Sequence, residues 1–293
     1  MGNAMTAVRL QAEPVAKPWG RRDLAPWAAD VAADVAGDGA AIGELIYRRP
    51  DRCLGSDAAL LVKTIFTSER LSVQVHPTDA AARARGLPHG KDEAWIVLAA
   101  DPGATIGCGF TAAADAADLR AAAQSGAIVD LLDWRPVTAG SVFQVPAGTV
   151  HAIGGGITLF EVQQNLDITY RLHDYGRGRA LHLDEGLAVA RRGVSPATPL
   201  PRALGAGRTI LIEGGAFVIE RVRLDGAAGL DPADRRPVWL AAVAGGGSID
   251  GTPFAAGEVW YCDSRIGLEG QAELLLAYPG GEVVADVWSG VAA

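Results

Sequence analysis

From residue 60 to the C-terminus the chain is written as short apolar, β-branched runs set between turn residues. The first group covers residues 60–65, 71–75, 94–98, 104–108, 141–145 and 158–162; the second covers 209–212, 216–224, 238–243, 259–262, 272–277 and 283–288. Runs of this length with Gly or Pro borders predict strands of a sandwich or barrel rather than helices. Three Ala-rich or acid-to-base stretches, 79–85, 112–125 and 184–192, predict minor helical segments between them. With 49% hydrophobic and 20% charged residues the chain can bury a large core, which excludes a disordered polypeptide. Its 293 residues suggest about two domains.

The prolines Pro196, Pro199 and Pro201 mark a linker over 194–207, dividing a first unit, 1–193, from a second β unit, 208–293. Within the second unit Asp225-Gly226, Asp250-Gly251 and Pro279-Gly280-Gly281 read as turns. The five histidines, His76, His89, His151, His173 and His182, all precede it, so imidazole chemistry belongs to the first unit. The three thiols Cys53, Cys108 and Cys262 form no CxxC pair and read as small buried hydrophobes in a reducing compartment. With 26 Lys+Arg against 34 Asp+Glu the net charge is −8, and no cationic run exceeds a pair such as Arg21 and Arg22. A nucleic acid partner is therefore not expected. No apolar stretch is long enough for a bilayer and no basic-then-apolar leader opens the chain, so a soluble, cytoplasmic protein without membrane contact is expected. The sequence leaves oligomeric state open.

Three local patterns carry chemistry. In Leu71-Ser72-Val73-Gln74-Val75-His76-Pro77 the period of two places Gln74 and His76 on one face, as a metal site or as a core histidine beside a surface amide. In Lys91-Asp92-Glu93-Ala94-Trp95 the same period pairs Lys91 with Glu93, as a site or as a surface ion pair. The third pattern is Gly140, five residues, then Pro146-Ala147-Gly148-Thr149-Val150-His151. There Pro146 ends a strand, Gly148 permits a tight turn, and the return strand presents His151. That spacing matches the second cupin motif, G-x5-P-x-G-x2-H, except for its trailing Asn. The first cupin motif is altered, with Gln74 in place of the first of its two histidines. The fold class expected is all-β, two cupin (jelly-roll) barrels with minor helical segments. Gln74, His76, Glu93 and His151 together form an N- and O-donor set suited to a borderline divalent ion such as Zn²⁺.

The sequence resembles the type I mannose-6-phosphate isomerases in their short two-cupin form. The resemblance rests on Lys17-Pro18-Trp19-Gly20, Ser72-Val73-Gln74-Val75-His76-Pro77, Lys91-Asp92-Glu93-Ala94-Trp95, Pro146-Ala147-Gly148-Thr149-Val150-His151-Ala152 and Ile168-Thr169-Tyr170-Arg171-Leu172-His173-Asp174-Tyr175-Gly176-Arg177, in family order. It implies one zinc per chain in the first barrel, held by Gln74, His76, Glu93 and His151. It implies catalysis by Lys91, Glu161 and Arg171. Lys63, Trp19 and Asp174 are the candidate substrate contacts, with Lys63, a charge inside an apolar run, either lining the cavity or reaching out to solvent, and Arg171 open to a structural salt bridge with Asp174 or Asp167 instead. The implied activity is the interconversion of mannose 6-phosphate and fructose 6-phosphate through a cis-enediol, with the proton carried by Lys91 or Glu161. The larger members' helical insertion is reduced here to residues 112–125, so its phosphate contacts do not carry over. A redox-metal cupin dioxygenase and a sugar-phosphate-binding cupin without turnover are the rival readings.

Overall fold

A computed structural model describes residues 7–28, 39–50, 58–205, 207–232 and 236–290; Cys53 lies outside them. The chain opens with β1 (Ala7–Arg9), β2 (Gln11–Arg21), β3 (Ile42–Arg48), β4 (Leu60–Thr67), β5 (Val73–Val75) and α1 (Asp79–Arg83). It continues through β6 (Glu93–Ala100), β7 (Thr105–Phe110), α2 (Ala116–Ser125), α3 (Ile128–Leu131), β8 (Leu132–Pro136), β9 (Val142–Val145), β10 (His151–Ile153), β11 (Ile157–Gln164), β12 (Tyr170–His173) and α4 (Leu183–Val189). The last third holds β13 (Arg202–Gly205), β14 (Arg208–Ile212), β15 (Phe217–Leu230), β16 (Val238–Ile249), β17 (Thr252–Ala255), β18 (Val259–Cys262), β19 (Ile266–Pro279) and β20 (Trp288–Gly290). The molecule is all-β with minor helices, as the sequence predicts, and among the described residues no helix is long and apolar enough to cross a membrane.

The first half pairs a six-stranded sheet, β2-β3-β4-β11-β6-β9, with a five-stranded sheet, β12-β5-β10-β7-β8. Alternation decides what each face meets. Ile65, Trp95, Val97, Ile157 and Leu159 of the six-stranded sheet turn inward to the core between the two sheets. Val62, Phe160, Val162 and Leu45 turn outward, into a core completed by Ile212, Phe217, Ile219, Trp239 and Leu275 of the last third. Strands β4 and β11 are thus covered on both faces, which is why their sequences are near-continuous apolar runs. The outer face of the five-stranded sheet, with Val73, Val75 and Leu172, is covered by Leu119 and Ala123 of α2, Ile128 of α3 and Leu187 of α4.

The last third is one nine-stranded sheet built on three long strands, β15, β16 and β19. Both ends of each long strand line a single core, Val218 with Leu230, Leu240 with Ile249 and Leu268 with Leu276, so the sheet bends over on itself. The bend explains the largest departure from expectation. Asp225-Gly226, expected to be a turn, lies inside β15, where Gly226 (φ 94°) sits opposite Gly270 (φ 149°) of β19. Two facing glycines let paired strands curve where side chains would collide.

Other corrections are smaller. The expected strand 283–288 is irregular up to Val287 and becomes strand only at Trp288. Part of the expected linker is β13, paired with β14. The N-terminal β1 pairs with β18, so residues 7–9 extend the sheet of the last third. Residues 42–48, with no expected strand, form β3, in which half-buried Glu44 and Arg48 alternate with buried Leu45 and Tyr47. The three expected helices are all shorter than expected, and α3 is a fourth that was not expected; α2 starts only after Asp115, whose carboxylate caps it by accepting from the Asp118 N–H.

The turn before His151 behaves as its sequence requires. Gly148 has φ 87°, and a Cβ there would stand 3.0 Å from the Val189 carbonyl oxygen. Gly148→Ala should therefore lower unfolding free energy by about 1–2 kcal/mol. Urea denaturation reads this directly, and an unchanged midpoint would contradict it.

Candidate functional site

The two sheets of the first half bring their polar residues to one cavity of about 230 Å³. From the five-stranded sheet Gln74 in β5 lines it, while His76 just beyond β5 and His151 at the head of β10 are buried beside the lining residues Glu93 and Gln74, with His151 directly opposite Gln74 in the ladder. Across the cavity, Glu93 begins β6, Glu161 lies in β11 and Lys63 in β4. In an antiparallel pair, opposed residues share a face, so the register Trp95↔Glu161↔Lys63 lays these three side chains in one inward row.

Backbone bonds lock the loops that carry the ligand-type groups. The Gly148 N–H donates to the His76 carbonyl at 2.8 Å, and the Lys91 N–H to the Pro77 carbonyl at 3.1 Å. Asp92 ties the two segments together, its carboxylate accepting from the Ala147 N–H at 2.8 Å.

His76, Glu93 and His151 are all buried and converge, with ligand-type atoms within 4.8 Å of one another. His76 Nε2 stands 3.3 Å from Glu93 Oε1, and His151 Nε2 stands 3.6 Å from Glu93 Oε2. Each imidazole is aimed by its other nitrogen, Nδ1 of His76 donating to the Ile168 carbonyl at 2.9 Å and Nδ1 of His151 to that of Thr149 at 2.9 Å. Burial pushes the His76 imidazole below its ordinary pKa; burial and neighbouring His76 push His151 down to about 4. Both rings are therefore neutral near pH 7 and present Nε2 lone pairs to the same point. Burial alone would raise Glu93, but the neighbouring positive charge, that of Lys91 once His76 is neutral, holds its carboxyl below the usual range. Two atoms there, His76 Nε2 and Glu93 Oε2, are buried without a hydrogen-bond partner. Orphaned acceptors of this kind are costly unless a cation completes them. The donor set fits a divalent metal, and among the described residues it is the one group of at least three His, Cys, Asp or Glu side chains arranged to hold one. Gln74 Nε2 lies 3.3 Å from His151 Nε2, so the amide borders the same point, and rotation about its last bond presents Oε1 there.

The remaining groups form an alternating charge row along the cavity wall. Lys91 Nζ is 3.0 Å from Glu93 Oε1, Lys63 Nζ is 3.2 Å from Glu161 Oε1 and 3.7 Å from Glu44 Oε2, and Lys17 Nζ is 3.0 Å from Glu44 Oε1. The Trp95 indole N–H donates to Glu161 Oε2 at 3.0 Å. Burial, reinforced by Glu93, raises the Glu161 carboxyl above its ordinary pKa despite Lys63. Trp19 and Arg171 also line the cavity. Asp174 does not: it is buried beneath the cavity-lining Arg179, which donates from Nε to Asp174 Oδ2 at 2.9 Å. The partner of Asp174 is thus Arg179 rather than Arg171. His89, His173 and His182 lie apart from the cluster; His182 Nδ1 accepts the Arg171 N–H at 3.2 Å.

Glu44 and Arg179 line the cavity without having been singled out from the sequence, and Lys17 lines it after being named there only within a motif, with no role. Larger open clefts of about 600 and 800 Å³ lie elsewhere, but neither Glu93 nor Gln74, the neighbours of His76 and His151, lines either.

Comparison with known proteins points to one family. The chain is 34% identical over 245 residues to mannose-6-phosphate isomerase ManA of Bacillus subtilis, covering 76% of each protein. It belongs to the mannose-6-phosphate isomerase family. It is also 39% identical over 177 residues to the mannose-6-phosphate isomerase of Streptococcus mutans, a match spanning 57% of this chain and only 55% of that protein. The crystal structure of the mannose 6-phosphate isomerase from Bacillus subtilis superimposes with a TM-score of 0.77 at 22% identity, over 93% of this chain and 99% of that one, and shares the fold. No protein-family model matches the chain.

Proposed function

We propose that the chain is a zinc-dependent aldose-ketose isomerase interconverting mannose 6-phosphate and fructose 6-phosphate. The observation that carries the proposal is a buried His76, Glu93, His151 cluster with two unsatisfied acceptors, opening onto a cavity lined by Lys63, Lys91, Glu161 and Arg171. Gln74, His76, Glu93 and His151 would hold one ion per chain. When bound, the ion supplies Lewis-acid stabilisation of charge developing on the carbonyl oxygen, without redox chemistry.

The chain's own residues supply the remainder. Isomerisation removes the C2 proton of the aldose, passes through a cis-enediol and returns a proton to C1, while the hydroxyl proton moves from O2 to O1. Lys91 and Glu161 face the same cavity and are the two groups available to carry that proton; the raised pKa of Glu161 moves it toward the range useful for a base. Lys63 braces Glu161 from one side and the Trp95 N–H from the other, so the carboxylate meets substrate in a set orientation. Arg171 offers N–H groups to substrate oxygens, and buried Trp19 closes the apolar side of the cavity. A cytoplasmic sugar phosphate is the matching small-molecule partner.

A coupled assay for fructose 6-phosphate formed from mannose 6-phosphate tests this. Activity should disappear on chelation and return when Zn²⁺ is added back. Sugar-phosphate binding without turnover by metal-replete protein would instead indicate a binding protein, and iron with oxygen uptake a dioxygenase.

A further inference from the structure

A protein of net charge −8 admits a dianion to a cavity only where local cations prevail. Five cations line this one: Lys17, Lys63, Lys91, Arg171 and Arg179. The lysines are already matched, Lys17 by Glu44, Lys63 by Glu161 and Lys91 by Glu93. The arginine side is different. Arg171, Arg177 and Arg179 surround a single buried carboxylate, Asp174, which leaves an excess of positive charge there. Arg177 is turned away, donating to Glu69 at 2.9 Å, and is not part of the cavity wall. The exposed Asp167 on the rim is the other carboxylate nearby.

Arg171 stands opposite Gln74 in the β5–β12 ladder, so its side chain leaves the sheet on the Gln74 face. Its Nη1 donates to the Ala180 carbonyl at 2.9 Å, while its buried Nε has no partner. Its backbone is clamped by His182, which accepts the Arg171 N–H on Nδ1 and donates its own N–H to the Arg171 carbonyl at 2.8 Å. Arg179 meets Asp174 with two donors, Nε and Nη2, the two-pronged contact that fixes a guanidinium plane. Asp174 itself is only 4% exposed, so this brace is an internal one.

We propose that Arg171 and Arg179 together seat the substrate's phosphoryl group, with Asp174 acting as the positioning residue that holds Arg179 at the cavity wall. The inference rests on the sugar-phosphate reading above and adds the residues that recognise the phosphate end. A phosphoryl dianion offers three acceptor oxygens to N–H groups converging from two forks, and its charge relieves the repulsion between the two guanidiniums. Asp174 is then needed without touching substrate, which explains a buried carboxylate placed just outside the cavity.

The test compares wild type, Arg179→Ala, Arg179→Lys and Asp174→Asn as metal-loaded protein. Arg179→Ala should raise KM for mannose 6-phosphate about 10- to 100-fold, the loss expected for a charged hydrogen-bonding partner, with a smaller fall in kcat. Calorimetry with inorganic phosphate should show a weakening of similar size. Arg179→Lys should restore part of the affinity, since it keeps the charge and loses the fork, and Asp174→Asn should give an intermediate rise in KM. Should Arg179→Ala fail to fold, Arg179→Lys carries the test with a severalfold rise. Unchanged KM and phosphate affinity across the Arg179 variants, or no phosphate binding by the wild type, overturns the proposal while leaving the isomerase reading intact. Phosphate affinity that falls in Arg179→Ala while the wild type shows no turnover supports the phosphate seat and defeats the isomerase reading.

Discussion

Glu93→Gln is expected to abolish metal retention and lower kcat/KM by at least about a hundredfold in the same sample. The substitution keeps the shape of the side chain and removes its charge. Glu93 faces His76 and His151 through its two oxygens and is also the partner of the buried Lys91. The amide leaves two neutral imidazoles and one cation around the point where a cation is to bind, so both the number and the charge of donors fall. Glutamine can still accept from Lys91, which limits damage to folding, and near-UV circular dichroism should stay close to wild type. Elemental analysis after dialysis against a weak chelator reads metal content, and the fructose 6-phosphate assay reads turnover. A variant that retains stoichiometric metal and full activity would remove Glu93 from the site.

How far the sequence announced this site depends on how local each signal is. The turn Pro146-Ala147-Gly148-Thr149-Val150-His151 is legible because its backbone demands and its histidine lie within a few residues. Gln74 with His76, and Lys91 with Glu93, are legible because a two-residue spacing in a strand sets a face. Lys63 and Glu161 are visible as charges inside apolar runs, a pattern that makes sense only when a strand buried on both faces borders a cavity. Arg179 and Asp174 are different. Their bond crosses an irregular segment, Asp174-Tyr175-Gly176-Arg177-Gly178-Arg179, where no periodicity tells which of two arginines turns inward. Glu44 is hidden for a related reason, since its role depends on Lys17 and Lys63 arriving from two other strands.

The fold was legible to the extent that turns were unambiguous. Asp250-Gly251 does turn, with Asp250 at φ 46°, and β19 does end at Pro279. Asp225-Gly226 does not, because whether a glycine reverses a chain or merely bends it is decided by the strand beside it, here through Gly270. The joining of β1 to β18 had no local signal, being a contact between strands far apart in the sequence.

The last third carries a second buried charge cluster whose role is structural, and its removal is expected to have the largest effect on stability. Arg208 donates from Nε to Glu220 Oε2 at 2.8 Å and from Nη2 to Glu220 Oε1 at 2.9 Å, both side chains being buried. Arg208 also reaches the Val284 carbonyl at 2.8 Å and the Ala285 carbonyl, while the Tyr278 hydroxyl donates to Glu220 and accepts from the Val284 N–H at 3.2 Å. The irregular segment before Trp288 is thus held to β14, β15 and β19 by one carboxylate and one guanidinium. Burial opposes the charge on Arg208, but Glu220 more than offsets it and raises the guanidinium's pKa. Glu220→Gln leaves that cation buried without its counter-charge, for which about 3–5 kcal/mol of unfolding free energy is expected to be lost. Replacing both partners, Arg208→Met with Glu220→Leu, should recover much of the loss, since the penalty comes from an unmatched charge rather than from a missing attraction. Urea denaturation of the three proteins measures the effect, while metal content reads the first-half site, which none of these residues touches. A Glu220→Gln protein within about 1 kcal/mol of wild type would show that water reaches Arg208 and that the cluster does not hold the segment.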